Sequence, residues 1–118
     1  MAYILVADDD ADQVAVQREL LETFGYQVGT ARSPAEMLTL LDREHPDLAI
    51  MDLRFPLPSD GLALIRGIRG KNATLPLIVL SGWPDELYGA PEEPLVSRVV
   101  IKGNVRELLQ TIAEVLAK

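Results

Sequence analysis

The stretch Pro46-Asp47-Leu48-Ala49-Ile50-Met51-Asp52 carries the pattern that decides the fold. Its four consecutive apolar residues, closed by an aspartate, are typical of a short strand that is buried on both faces. Comparable apolar runs occur at Ile4-Leu5-Val6-Ala7, Leu77-Ile78-Val79-Leu80 and Val99-Val100-Ile101. A weaker run extends from Tyr26 to Ala31. Because these runs are continuous rather than alternating, they indicate a parallel sheet covered by helices on both sides.

Helical patterns separate these strands. Four helices are predicted. In chain order, the first covers residues 11–24, the second starts at Ser33, the third covers residues 61–69 after the Asp60-Gly61 turn, and the last starts at Asn104. The start at Ser33 is the clearest, because serine is a favoured N-cap and Pro34 suits the first helical position. A glutamate three residues after each of these two caps, Glu36 and Glu107, can complete a capping box.

This alternation predicts one α/β domain over residues 1–118, with five βα units, a parallel sheet and right-handed crossovers. The segment between Ser81 and Val99 departs from the pattern. Pro84 suits the first turn of a helix, but Pro91 and Pro94 would interrupt it. We therefore expect the fourth helix to be short, displaced or irregular.

Composition limits the function classes. The chain has 118 residues and a formal net charge of −7, which opposes binding to nucleic acid or to anionic lipid. It contains no cysteine, so disulfides and thiolate zinc sites are excluded. The N-terminus lacks a basic leader, and no apolar run approaches the length of a membrane span. We expect a soluble cytoplasmic protein.

Polar residues follow four of the predicted strands. Asp8 and Asp9 follow the first strand, Asp52 ends the third, and Ser81 and Lys102 follow the fourth and fifth. Each alone has a local explanation, such as a helix cap or a turn. In an open parallel sheet, however, ligands bind at the carboxyl ends of the strands, so the joint placement favours one shared site.

The residue types at this edge predict phosphoryl chemistry. The three carboxylates Asp8, Asp9 and Asp52 make a hard-oxygen site suited to Mg²⁺. A carboxylate can act as a nucleophile toward phosphorus, and the Lys102 ammonium can neutralise charge on the transferring oxygens. The Ser81 hydroxyl can donate to a phosphoryl oxygen after transfer.

These stretches resemble the receiver domains of two-component response regulators over almost the whole chain. The resemblance is carried by residues 4–10, 46–56, 60–61 and 80–82 and by Lys102. It implies a flavodoxin-like, doubly wound (βα)5 fold with the strand order 2-1-3-4-5. It also implies a switch that catalyses its own phosphorylation and dephosphorylation without being an ordinary enzyme.

The resemblance also implies roles for the residues at the site. Asp52 would accept a phosphoryl group, and Asp9 and Asp52 would ligate Mg²⁺, with Asp8 acting mainly through water. The backbone carbonyl of Arg54 would be a further ligand. Ser81 would be the switch hydroxyl that moves toward the phosphoryl group, and Lys102 would pair with that group. The donor would be a sensor histidine kinase, a phosphotransfer protein or a small phosphodonor. The recipient would be an output domain or partner protein, and a homodimer is left open.

Some positions depart from the family pattern. Val99 stands where a switch aromatic is usual, and Gly103 stands where a proline usually follows the lysine. These departures keep open an alternative, a degenerate receiver that acts as a phosphorylation-independent interaction module. An unrelated α/β enzyme is disfavoured, because no glycine-rich loop follows the first strand. Arg54 and Trp83 lie two residues beyond Asp52 and Ser81, where the resemblance implies side chains that flank the phosphoryl group. Two interpretations stay open: they shield the site and alter dephosphorylation, or they simply cover the surface.

Overall fold

The computed structural model describes residues 2–117, and this part of the chain forms five parallel strands and four α-helices. The strands are β1 (Tyr3–Ala7), β2 (Gln27–Ala31), β3 (Leu48–Asp52), β4 (Leu77–Ser81) and β5 (Arg98–Ile101). The helices are α1 (Ala11–Thr23), α2 (Pro34–Arg43), α3 (Pro58–Lys71) and α4 (Val105–Leu116). The strand order is β2-β1-β3-β4-β5, so the predicted fold class is confirmed.

The sheet is covered on both faces, as the continuous apolar strands predicted. Successive residues of a strand point to opposite faces. In β3, Ala49 and Met51 pack on one side with Met37 of α2 and Ile65 of α3. The other side, which includes Leu48 and Ile50 of β3, packs against residues such as Leu21 of α1 and Ile112 of α4.

Side-chain caps define the starts of three helices. Asp10 accepts the backbone N–H groups of Asp12 and Gln13 at the start of α1. Ser33 and Asn104 accept the N–H groups of Glu36 and Glu107, at 3.1 Å and 3.0 Å. The predicted cap at Ser33 is confirmed, but the Glu36 carboxylate accepts the N–H of Arg32 rather than that of the capping serine.

Helix α3 is longer than predicted. The expected range, 61–69, was wrong at both ends, because the helix runs from Pro58 to Lys71. Proline suits a first helical position, since it lacks the N–H group that has no partner there. The Asp60 carboxylate then accepts the N–H of Leu57 at 3.1 Å, so Asp60 closes the first turn of the helix.

The connection between β4 and β5 forms two single 3₁₀ turns, Pro84–Glu86 and Glu93–Leu95. This confirms the expected irregular fourth unit. The connection is nevertheless anchored, because Leu87 is fully buried in the core between them. Within residues 2–117, no helix is both long and apolar enough to cross a membrane.

Candidate functional site

Three carboxylates and one ammonium meet at the carboxyl edge of the sheet. Asp8 and Asp9 follow β1 and Asp52 ends β3, and these strands are neighbours in the sheet. One carboxylate oxygen from each of the three aspartates lies within 4.8 Å of the others. The Lys102 Nζ lies 2.5 Å from Asp52 Oδ2 and 3.4 Å from Asp8 Oδ2.

Both acids that contact the lysine are removed from solvent. Asp8 is 1% exposed and Asp52 is 6% exposed, whereas Asp9 is exposed. Burial raises the pKa of the Asp8 carboxyl, and the N–H of Asp10 and the Lys102 ammonium oppose that rise only in part. Burial lowers the pKa of Lys102, but its hydrogen bond with Asp52 and the nearby carboxylate charges outweigh this and leave that pKa raised.

The charge of this group fits a divalent cation. The carboxylates of Asp8, Asp9 and Asp52 stand against the single ammonium of Lys102, so two negative charges remain when all four are ionised. Carboxylate oxygens so close to one another repel unless a cation lies between them. Hard oxygen ligands on few side chains are typical of Mg²⁺, which keeps several of its waters.

Ser81 ends the adjacent strand, β4, and is 3% exposed. Its Oγ accepts the backbone N–H of Trp83 at 3.0 Å, which uses one of the two lone pairs and leaves the hydroxyl hydrogen available. The Ser81 carbonyl accepts the N–H of Lys102 at 3.0 Å, which links the ends of β4 and β5. Ser81 therefore lies at the same edge as the acids, with its oxygen held by its own turn.

Arg54 joins the loops that follow β3 and β4. Its backbone N–H donates to Asp52 Oδ1 at 3.2 Å, and its side-chain Nε donates to Glu86 Oε1 at 2.9 Å. The guanidinium carbon lies 4.3 Å from the centre of the Trp83 ring, which is a cation–π distance. The Arg54 and Trp83 side chains contact each other, and the sequence did not predict this contact or the pairing with Glu86.

The structure thus brings the side chains of Asp8, Asp9, Asp52 and Lys102 together at one edge of the sheet. Glu86 was missed, because it lies 32 residues from Arg54 in the chain and no periodic pattern connects the two.

Comparison with known proteins identifies the family of the chain. The sequence profile of the family described as "Response regulator receiver domain" matches residues 4–112. The chain belongs to this family. It is 37% identical over 90 residues to the virulence transcriptional regulatory protein PhoP of Salmonella typhimurium, a match that covers 74% of this chain and 40% of PhoP. The receiver domain therefore spans well under half the length of that relative.

Solved receiver structures have the same fold. The response regulator TrrA of Thermotoga maritima, in complex with Mg²⁺ and beryllofluoride, superposes with a TM-score of 0.87 at 26% identity over 98% of this chain and 99% of that one. TrrA in complex with the histidine kinase ThkA superposes with a TM-score of 0.86 at 28% identity, over the same shares of the two chains. The chain is thus a receiver domain of a two-component response regulator.

The departures from the family pattern lie beside the site. Val99 is a partly buried residue of β5 that packs against the hydrophobic core. Gly103, directly after Lys102, has a φ of +97°, which lies in the region that favours glycine. The Lys102–Gly103 peptide bond is trans, as expected for a bond that does not precede proline.

Proposed function

We propose that this receiver domain is a Mg²⁺-dependent phosphoacceptor whose acceptor residue is Asp52. The observation that carries the proposal is the surroundings of the buried Asp52 carboxylate, which contacts the ammonium of Lys102 and lies within 4.8 Å of carboxylate oxygens of Asp8 and Asp9. A nucleophile, a cation and a divalent-metal ligand set therefore share one small volume. The donor is a sensor histidine kinase or a phosphotransfer protein, and the recipient of the signal is an output domain or partner.

The transfer uses one oxygen of the Asp52 carboxylate as the nucleophile. This oxygen attacks the phosphorus of a phosphohistidine, the N–P bond breaks, an O–P bond forms, and the histidine leaves. The N–H of Arg54 and the ammonium of Lys102 hold the two carboxylate oxygens, so the side chain is oriented before the donor arrives. Attack by water on the phosphorus later breaks the O–P bond, restores the carboxylate and releases inorganic phosphate.

The surrounding residues stabilise the product. Lys102 offsets charge on the phosphoryl oxygens, and Ser81 turns its free hydroxyl hydrogen toward one of them. Asp9 and Asp52 would hold Mg²⁺ directly, Asp8 would act mainly through water, and the backbone carbonyl of Arg54 would be a further ligand. When bound, the ion offsets the negative charge on the transferring group.

Phosphorylation by acetyl phosphate tests this function without a cognate kinase. With Mg²⁺, intact-mass spectrometry should show one added phosphoryl group on the wild-type protein and none on Asp52→Asn. A chelator should abolish the addition. An equal adduct on Asp52→Asn, or none on the wild type beside a receiver that is labelled in parallel, would contradict the proposal.

A degenerate receiver is the second candidate. Three features favour it: Val99, Gly103 and the two 3₁₀ turns Pro84–Glu86 and Glu93–Leu95. They occupy the side of the fold that, in receivers of the usual pattern, transmits phosphorylation. This candidate predicts that partner binding is the same in the wild type and in Asp52→Asn, with or without acetyl phosphate. A dependence of binding on Asp52 would rule it out.

A further inference from the structure

Arginine side chains anchor the connection between β4 and β5 at its two ends. Arg66 of α3 pairs with the buried Glu92, and Arg69 Nε donates to the carbonyl of Leu95 at 2.8 Å. These two contacts hold the second turn, Glu93–Leu95, on α3. The first turn, Pro84–Glu86, is held instead by Arg54, which is bonded through its backbone to Asp52.

The Arg54–Glu86 pair is weak enough to be exchanged. The Arg54 and Glu86 side chains are 47% and 21% exposed, so water screens their attraction. Glu86 also brings a single negative charge to the contact, whereas a phosphoryl group carries about −1.5 to −2 charges and three strong acceptor oxygens. A guanidinium matches such oxygens in a two-pronged geometry, which favours the phosphoryl group as partner.

We propose that Arg54 binds the phosphoryl group on Asp52 and gives up Glu86 in exchange, which frees the Pro84–Glu86 turn. This inference rests on the proposed function of Asp52. No covalent bond changes in the step, because one ionic contact replaces another. Since Arg66 and Arg69 keep the second turn in place, the change is confined to the first turn and to the exposed Trp83 beside it.

The exchange provides a relay where the usual aromatic side chain is absent. Val99 has no aromatic ring whose rotation could follow the state of the site. Arg54 instead contacts both the acceptor strand and the turn after β4. The outward signal is then the release of Glu86 and the altered surroundings of Trp83.

Calorimetric titration with beryllofluoride in the presence of Mg²⁺ tests the exchange. In Glu86→Gln, Arg54 no longer has to leave a carboxylate, so the affinity for beryllofluoride should rise. The expected rise is about two- to five-fold, which corresponds to the strength of a partly exposed ion pair. In Arg54→Gln, affinity should fall. The double variant should bind no better than Arg54→Gln, because without Arg54 the loss of Glu86 brings no gain.

Asp85→Asn is the matched control. Asp85 is exposed, is adjacent to Glu86 and makes no ion pair among residues 2–117. It therefore reports the effect of removing one local negative charge. Equal affinities for Glu86→Gln and Asp85→Asn would overturn the exchange, as would a full gain for Glu86→Gln in the absence of Arg54.

Fluorescence gives an independent readout, because Trp83 is the single tryptophan of the chain. Its emission should change when beryllofluoride binds to the wild type, and the change should be lost in Arg54→Gln. If the wild type binds beryllofluoride but Arg54→Gln keeps the wild-type emission change, only the exchange is wrong. If the wild type fails to bind it, or Asp52→Asn binds it equally well, the proposed function and the exchange fall together.

Discussion

Gly61 occupies the tightest backbone contact near the site, and replacing it with alanine tests how α3 is positioned. A Cβ added at Gly61 would lie 1.8 Å from the carbonyl oxygen of Leu53 and 2.6 Å from its carbonyl carbon. These are backbone atoms directly after Asp52, so no side-chain rotation can relieve the contact. Either the start of α3 or the end of β3 has to move.

The size of the effect follows from two opposed terms. Inside a helix, alanine raises the free energy of unfolding by about 0.5–1 kcal/mol relative to glycine. Overpacking costs about 1–3 kcal/mol, and a clash with backbone belongs at the upper end of that range. We therefore expect Gly61→Ala to lose about 2 kcal/mol of unfolding free energy, which lowers the Tm by roughly 6–12 °C for a domain of this size.

Two other glycines of α3 supply controls. At Gly70 an added Cβ meets nothing within 4 Å, so Gly70→Ala should be stabilised by about 0.5 kcal/mol. At Gly67 it would lie 3.2 Å from the flexible end of Leu38, so that variant should fall between the other two. Urea unfolding followed by circular dichroism measures all three.

A functional readout accompanies the stability series. Because the Leu53 backbone adjoins Asp52, Gly61→Ala should also weaken Mg²⁺ binding in the folded protein, whereas Gly70→Ala should leave it unchanged. The reasoning is refuted if Gly61→Ala unfolds within about 0.5 kcal/mol of the wild type, the usual range for an inconsequential substitution.

Three further predictions concern the site and the β4–β5 connection. The raised pKa of Asp8 means that the folded protein binds this proton more tightly than the unfolded chain, so Asp8 lowers stability as pH rises above its ordinary pKa of 3.8. Without Mg²⁺, Asp8→Asn should therefore stabilise the fold at pH 7 and lose that advantage near pH 3; urea midpoints at the two pH values check this, and a larger gain at pH 3 would contradict it. Leu87→Ala should cost about 2–5 kcal/mol because the side chain is fully buried, whereas the exposed Tyr88→Ala should cost under about 1 kcal/mol; equal losses in urea unfolding would mean that the connection is not packed on the core. Gly103→Ala should lose about 1–2 kcal/mol because its φ is +97°, with Gly103→Asn losing less, and an unchanged Tm for both would argue against that conformation.

The helix boundaries show where local patterns were sufficient and where they were not. The starts at Ser33 and Asn104 were predictable, because a cap and its partner lie within one turn of each other. The start of α3 was placed too late, since the Asp60-Gly61 pair is typical of a turn. In the folded chain Gly61 instead allows α3 to approach the Leu53 carbonyl, a contact that only the packing of α3 against β3 creates.

The sequence by itself determined the strands, their burial on both faces and the group of Asp8, Asp9, Asp52 and Lys102. Strand ends are marked locally, and a parallel sheet brings those ends to one edge, so a short-range pattern was enough. Only the tertiary structure decided that Arg54 pairs with Glu86 and stacks on Trp83. Such contacts join irregular segments far apart in the chain, where no periodicity relates one side chain to the other, and they form only once the sheet has set the two loops side by side.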